Sequence, residues 1–320
     1  DHCPEPYRDV FFINDWVNRN IYTFRPKWDG ARMTNRGRFE EFADGGKHEG
    51  AGELVFTPDP GDPLFRPTDL EIGPSGAMYV ASWGTQYGSR WAPYIGGDEE
   101  AKVHWGRVFR IRHGERDLTP RSEWDTAKRD KPYSEWSTDQ LIADLGKQLR
   151  VWRTNAQAEL VRRGAKVKPA LVSAIRSGEL SQMAETYAVW ALGRIGPNAD
   201  RFAAWARGED GAELNRRLQA IRIIGDRNVT QAASAVADQL ADAEPRIRFA
   251  AAQALRHLDA RNHLGAIVKA LPNETDALCF YTQWNALRAL ASEDRLRQIA
   301  REAGSVNLHG AALLALGPDA

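Results

Sequence analysis

Ala188-Val-Trp-Ala-Leu-Gly-Arg-Ile-Gly196 is the stretch that decides the fold of the C-terminal half. Alanines at its first and fourth positions allow close helix approach, and Leu192 and Ile195 follow on one helix face. Copies of this nine-residue frame begin at residues 156, 188, 217, 251, 283 and 309, which are 32, 29, 34, 32 and 26 residues apart. A repeat of roughly 30 residues with two helices per unit is typical of HEAT-like α-solenoids.

Shorter helical patterns lie between these frames, at 167–176, 229–240 and 263–271. They supply the first helix of a pair, and the frame supplies the second. Residues 138–320 are therefore predicted to form a HEAT-like α-solenoid. The tryptophans at 190, 205 and 284 stand among Leu and Ala at helical spacing, so we expect them to pack in its core.

The N-terminal half has the period of strands. Phe65-Arg-Pro-Thr-Asp-Leu-Glu-Ile-Gly-Pro-Ser-Gly-Ala-Met-Tyr-Val-Ala-Ser-Trp83 and Gly106-Arg-Val-Phe-Arg-Ile111 predict strand, tight turn, strand, loop and strand. Earlier runs at 10–16 and 21–24 predict a hairpin, followed by a further strand from 31–34 with 39–42. A propeller blade has four antiparallel strands, and about three of each of two blades are present.

The predicted fold class is thus a multidomain chain, β then α. Residues 1–113 are expected to be partial β-propeller blades, residues 114–137 a linker, and residues 138–320 the solenoid. Two incomplete blades would leave sheet edges exposed, so the natural chain is expected to continue upstream. The alternative is an open sheet that packs on the helical half.

Composition excludes several function classes. The 320 residues carry 43 basic and 43 acidic side chains, so no overall field attracts nucleic acid or an anionic membrane. No window approaches the length of apolar sequence that spans a membrane. The two cysteines fall in different halves and fit neither a disulfide framework nor a metal site, so no metal ligands are predicted.

One long loop, at 84–104, is a candidate ligand loop. Its length exceeds the usual connection, and such loops are commonly functional. Aromatic and charged side chains suited to a sugar or glycan ligand concentrate there, among them Tyr87, Arg90, Trp91, Tyr94 and His104. The alternative is that these aromatic side chains only fasten the loop to the sheet.

The strand motifs resemble a known family. Arg66-Pro-Thr-Asp69-Leu, the turn and strand through Trp83, and Gly106-Arg-Val-Phe-Arg-Ile111 resemble the closing blades of glucose/sorbosone dehydrogenase-like propellers. The order of propeller then HEAT repeats is similar to planctomycete-type proteins called membrane-bound dehydrogenases. The resemblance implies a periplasmic or extracellular location.

The resemblance also implies a cofactor, pyrroloquinoline quinone with Ca²⁺, in the full-length protein. Arg66 and Asp69 match the family segment that holds the quinone carboxylates, while Thr68 stands where that family has a second Arg. The family's catalytic His belongs to blades that this chain does not contain, so no catalytic residue is assigned. The alternative for Arg66 and Asp69 is a buried pair that orders the strand.

Two functions remain open from the sequence. The first is the C-terminal portion of a quinone-dependent sugar or aldehyde dehydrogenase, in which this segment supplies channel wall and an interaction scaffold without being catalytic alone. The second is a non-enzymatic protein- or glycan-binding scaffold with a degenerate propeller. A protein partner is expected at the solenoid surface, where arginines either hold an acidic partner or form a solvated, charge-balanced face: Arg216, Arg217, Arg222, Arg246, Arg248 and Arg256.

Overall fold

A computed structural model describes residues 10–15, 20–24, 27–34, 53–56, 66–73, 77–82, 107–112, 130–147 and 149–317. By the density of contacts within each part, the chain divides into two units. The first comprises residues 1–27 and 33–130, and the second comprises residues 28–32 and 131–320. The five residues 28–32 of the N-terminal half therefore belong to the helical unit.

The strands form three small antiparallel groups. The first sheet has the order β1 (Phe11–Asp15), β2 (Asn20–Phe24), β5 (Glu53–Phe56). The second is the pair β3 (Lys27–Asp29) and β4 (Arg32–Thr34), and the third has the order β6 (Pro67–Ile72), β7 (Met78–Ser82), β8 (Arg107–Ile111). The predicted hairpin at 10–24 and the three predicted strands between 67 and 112 are thus present.

Buried and more exposed side chains alternate along β7, and this pattern identifies the buried face of the third sheet. Met78, Val80 and Ser82 point inward, whereas Tyr79 is exposed. Met78 and Val80 join Ile21 in a small apolar cluster, against which side chains of β1, β6 and β8 pack. This cluster is the core of the strand unit in the described residues.

The described strands correct two expectations. They form groups of three, two and three strands, and no four-stranded blade occurs among them, so the propeller is not shown. A strand, turn, strand pattern fixes local pairing but not the number of strands per sheet, which is why it suggested a blade. The third strand of the first sheet is Glu53–Phe56, which was not predicted, and the expected strand at 39–42 lies outside the described residues.

The C-terminal unit is an α-solenoid, as predicted. Six helix pairs follow one another between residues 138 and 317: α1 (Thr138–Asp144) with α2 (Arg150–Arg163), α3 (Lys168–Ser177) with α4 (Gln182–Ile195), α5 (Ala199–Ala206) with α6 (Leu214–Asp226), α7 (Ala233–Asp238) with α8 (Pro245–His257), α9 (Leu264–Ala270) with α10 (Ala277–Leu290), and α11 (Glu293–Glu302) with α12 (Val306–Leu316). We call the odd-numbered members first helices and the even-numbered members second helices. Every second helix contains one copy of the sequence frame.

Small residues let the second helices stack closely on one another. A Cβ built on Gly225 of α6 would lie 2.9 Å from the Cα of Ala254 in α8, closer than real Cβ atoms approach. Gly193 of α4 is similarly close to the side chain of Ile223 in α6. Side-chain caps begin many of the helices, and Ser137 forms a full capping box with Gln140. The repeats are therefore defined both by packing and by local signals.

One continuous apolar cluster runs from Trp136 to Ala315 through all six pairs. Trp205 is fully buried in it, and Trp190 and Trp284 pack against it, which confirms the expected core positions. Among the residues described, the helices are too short or too polar for any of them to span a bilayer.

Candidate binding face of the second helices

Ion pairs tie successive repeats together. Arg216 of α6 donates to Glu185 of α4, with 2.5 Å between Nε and Oε1. Arg217 donates to Asp242 in the connection before α8, and Arg248 of α8 is bonded to Glu274. Arg246 pairs with its own helix cap, Glu244, at 2.7 Å. Four of the six arginines singled out from the sequence are thus used within the solenoid.

The carboxylate of Glu274 is the most enclosed of these groups, with 1% of its side chain exposed. It accepts hydrogen bonds from Arg248 Nε at 2.9 Å and Nη2 at 2.8 Å, and from the buried Gln283 Nε2 at 2.7 Å. The backbone N–H groups of Thr275 and Asp276 also donate to it. The hydrogen bond to Glu274 raises the pKa of Arg248.

A groove of about 540 Å³ lies beside this pair, between the fourth and fifth repeats. Arg248 and Glu274 form part of its wall, and Asp238, Lys269 and Asn273 stand exposed along its rim. The rim carries both signs of charge, and the wall groups are already hydrogen-bonded to each other. In the part of the chain that the structure describes, no group of three or more His, Cys, Asp or Glu could hold a metal ion.

Cys279 near the start of α10 is a structural thiol. Its Sγ donates to the carbonyl oxygen of Pro245 at 3.0 Å. Burial raises the pKa of Cys279 well above its ordinary value, and the nearby carboxylates of Glu274 and Asp276 raise it further. A thiol with a raised pKa is a poor nucleophile, which fits a structural role for this buried side chain.

Three arginines of the second helices form no ion pair of the kind made by Arg216, Arg217 and Arg248 in the described residues. Arg222, Arg256 and Arg288 occupy the sixth position of the frame in α6, α8 and α10. All three are exposed, and within the described ranges none has a carboxylate partner. Partial desolvation lowers the pKa of Arg222 from its ordinary value. We call these three residues the arginine row.

Acidic side chains are distributed unequally between the two kinds of helix. The second helices α8, α10 and α12 contain no Asp or Glu at all. The first helix α11, by contrast, begins with Glu293 and Asp294 and ends with Glu302. Arg256 and Arg288 therefore lie on helices that contain no carboxylate of their own, whereas Asp226 follows Arg222 by four residues in α6.

Among the described helices, exposed large apolar side chains occur on the second helices and not on the first helices. Met183 of α4 is 49% exposed, Tyr281 of α10 is 56% exposed, and Val306 of α12 is 87% exposed. Val151 of α2 and two leucines of α12 are exposed as well, whereas no large hydrophobic side chain on a described first helix is. The ring of Tyr281 meets that of Trp284 edge to face, with centroids 5.5 Å apart. The arginine row and these apolar side chains together make up what we call the second-helix face.

The short segment 28–32 shows how a β-turn packs on the ends of second helices. The N–H of Ala31 donates to Asp276 Oδ2 at 3.0 Å, and the ring of Trp28 lies 5.0 Å from the guanidinium carbon of Arg246. Gly30 has φ +61°, and a Cβ there would collide with the same carboxylate. Burial raises the pKa of Asp276, but donors that include the N–H groups of Cys279 and Ala31 outweigh it and lower the pKa overall.

The residues expected to hold a cofactor lie in the strand unit. Arg66 immediately precedes β6, and its N–H donates to Ser82 Oγ at 2.9 Å. Asp69 is exposed in β6 and accepts from the N–H of Leu70, while Thr68 Oγ1 donates to the carbonyl of Ala81 in β7. These bonds order the strand, and the contact of Arg66 and Asp69 with a quinone stays a prediction.

The candidate ligand loop cannot be placed in the same way. The residues Tyr87, Arg90, Trp91, Tyr94 and His104 lie outside the described residues, so the predicted sugar or glycan site stays a prediction.

The sequence did not single out Arg288, Tyr281 or Met183 as functional. Aligning the six copies of the frame was the available signal for Arg288, because it stands where Arg222 and Arg256 stand.

Comparison with known proteins assigns no family to the chain. No protein-family model matches the chain, and no curated protein matches it. Among solved structures, it is similar to the complex of CpcE and CpcF of phycocyanin lyase from Nostoc sp. PCC7120. The two are 19% identical, and the match covers 56% of this chain and 98% of that chain with a TM-score of 0.33. A score that low supports no argument about activity.

The expected family is therefore corrected. The identification of the chain as a glucose/sorbosone dehydrogenase-like propeller fused to HEAT repeats is wrong, because the described strands form no blade and no family model matches the chain. The quinone, the Ca²⁺ ion and the periplasmic or extracellular location followed from that resemblance alone, and they stay untested predictions. What the described residues do define is an α-solenoid with one chemically distinct face.

Proposed function

We propose that this protein is a protein-binding scaffold whose second-helix face contacts the partner. The observation that carries the proposal is that, among the described helices of the solenoid, exposed large apolar side chains occur only on the second helices. Scattered apolar residues are normal on any surface, but their restriction to one kind of helix across several repeats is not random scatter. Stacked repeats present such residues side by side on an extended surface.

The chemistry of this face suits protein recognition. Tyr, Trp, Met and Arg are the residue types enriched at protein interfaces, and Tyr281, Trp284, Met183 and the arginine row supply all four. Tyr281 is held by its contact with Trp284, so little side-chain freedom is lost when a partner covers it.

A crosslinking experiment tests the proposal. A photoreactive phenylalanine replaces Tyr281 in the full chain, and in a matched variant it replaces Arg297, which is exposed on the first helix α11. We expect a discrete protein adduct from position 281 and none from position 297. The protein identified in the adduct is then purified and its affinity measured for the wild type and for Met183→Ser and Tyr281→Ser.

The affinity measurement decides the outcome. Each serine substitution on the second-helix face should weaken binding at least fivefold, while Arg297→Ser should leave it unchanged. Identical adducts from both positions, or unchanged affinity for the Met183 and Tyr281 variants, would show that this face is not the interface.

A further inference from the structure

We propose that the arginine row, Arg222, Arg256 and Arg288, binds an acidic peptide segment of a protein partner. The inference rests on the proposed function, because it assigns a partner chemistry to the second-helix face. Its starting point is the contrast among the arginines of this face. Arg216, Arg217 and Arg248 are each bonded to a carboxylate of the solenoid, whereas the three members of the row have none in the described part of the chain.

Charge complementarity indicates which class of partner binds the arginine row. Guanidinium groups recognise carboxylates through paired hydrogen bonds. Asp226 follows Arg222 by four residues and Asp259 follows Arg256 by three, but in the described part of the chain neither carboxylate is bonded to the row, and Asp259 pairs with Arg261. The two helices that carry Arg256 and Arg288 contain no Asp or Glu, so the protein supplies no competing carboxylate from those helices. A partner that brings carboxylates at matching intervals completes this surface.

The repeat spacing defines those intervals. Packed neighbouring helices lie about 8–10 Å apart, so successive arginines of the row are separated by about that distance along the stack. A peptide in polyproline II conformation advances about 3.1 Å per residue with three residues per turn. Carboxylates at every third position of such a peptide therefore point the same way at about 9 Å intervals, one for each helix of the row.

The neighbouring side chains suit a peptide more than a compact anion. Tyr281 precedes Arg288 by two helix turns, and Gln253 lies one turn before Arg256 with its exposed amide free to bond a peptide backbone. The row thus has an aromatic surface and an amide beside its charges. A free phosphate or sulfate would use the charges alone.

Isothermal titration calorimetry on the full chain tests the inference. The probe is a peptide of four Glu-Pro-Ala repeats, with a four-repeat Gln-Pro-Ala peptide as its neutral control. The protein variant is R222Q/R256Q/R288Q, and the matched variant R295Q/R297Q/R301Q removes the same charge from exposed positions of α11. Circular dichroism checks that both fold, and the three single variants of the row serve if the triple variant does not.

We expect saturable binding of the Glu peptide to the wild type and to the α11 variant. The row variant should bind at least tenfold more weakly, each single variant should bind severalfold more weakly, and the affinity should fall as salt rises. The Gln peptide should not bind.

Several outcomes would overturn the inference. These are no binding of the Glu peptide to the folded wild type, equal binding to both triple variants, or equal binding of the Gln peptide. Tighter binding of a twelve-nucleotide oligothymidylate to the same row would assign it to phosphates instead. If Tyr281 still crosslinks to a protein while the Glu peptide fails, only the acidic class of partner is refuted and the scaffold remains.

Discussion

Replacement of Glu274 by alanine should be among the most destabilising single changes in the solenoid. Its carboxylate is enclosed by donors from two helices and its own loop, and the side chain is 1% exposed. Removal leaves the Arg248 guanidinium without its counter-ion, although Arg248 still donates to the carbonyls of Asp242 and Ala243. It also leaves the fully buried amide of Gln283 without its acceptor.

The magnitude follows from these lost partners. Breaking a buried ion pair by removing one member typically costs about 3–5 kcal/mol, because the other charge stays buried. A buried amide donor without an acceptor costs about 1–3 kcal/mol and contributes to that range. We therefore expect Glu274→Ala to lower the free energy of unfolding by about 3–5 kcal/mol. Replacing the pair by Arg248→Met with Glu274→Leu should recover part of this loss, since no charge then remains buried.

The assay is urea unfolding of the full chain, followed by far-ultraviolet circular dichroism, which reports mainly on the helices. The control is Glu293→Ala, which removes a carboxylate that pairs with Arg297 at the surface and is 69% exposed. Exposed pairs contribute about 0–1 kcal/mol, so this variant should differ little from the wild type. If Glu274→Ala were no more destabilising than Glu293→Ala, the network would not hold the fourth and fifth repeats together.

Two further predictions concern other repeats. Gly225→Ala should destabilise the solenoid by about 1–3 kcal/mol, because its Cβ would press on the backbone of Ala254, whereas Gly310→Ala in open space should stabilise it by about 0.5–1 kcal/mol. Opposite shifts in melting temperature check this pair, and shifts of the same sign would contradict the close stacking. The hydrogen bond from Arg162 lowers the pKa of Glu159 from 4.5 to about 2 despite burial. Its stabilisation is therefore present above about pH 4.5 and is lost as the pH falls towards 2, by about 1–2 kcal/mol after screening. Glu159→Gln should remove that part of the acid dependence in urea unfolding, and an unchanged slope would contradict it.

The solenoid was predictable because its signals are local and repeated. Each frame contains its own small residues, apolar positions and helix period, and six copies reinforce one another. In the strand half, only the pairing of strands that are neighbours in sequence was predictable. Strand β5 is separated from β2 by many residues, and nothing in the short run Glu53–Phe56 specifies which strand it joins. The resemblance to a dehydrogenase propeller extended those pairs to blades that the described residues do not contain.

The candidate face was predictable in composition but not in detail. Sequence alone places recurring arginines on the second helices and several acids nearby, which fits both an acidic partner and a charge-balanced face. The carboxylates that decide the matter, Asp242 and Glu274, come from connections between helices. Their partners depend on how the repeats stack. The structure therefore supplies what the sequence lacks, namely which arginines are already paired.

Position along the helix accounts for this division at all of these arginines except Arg222, which lies before the last turn of α6. Arg216, Arg217 and Arg248 lie near the starts of their helices, where the dipole disfavours a cation. Carboxylates from the preceding helix or the adjoining connections offset that effect and fix the register between repeats. Arg256 and Arg288 lie in the last turn, where the dipole favours a cation and no carboxylate is needed to keep it there. A repeat of this design holds itself together at one end of its second helices and leaves cations available for a partner at the other.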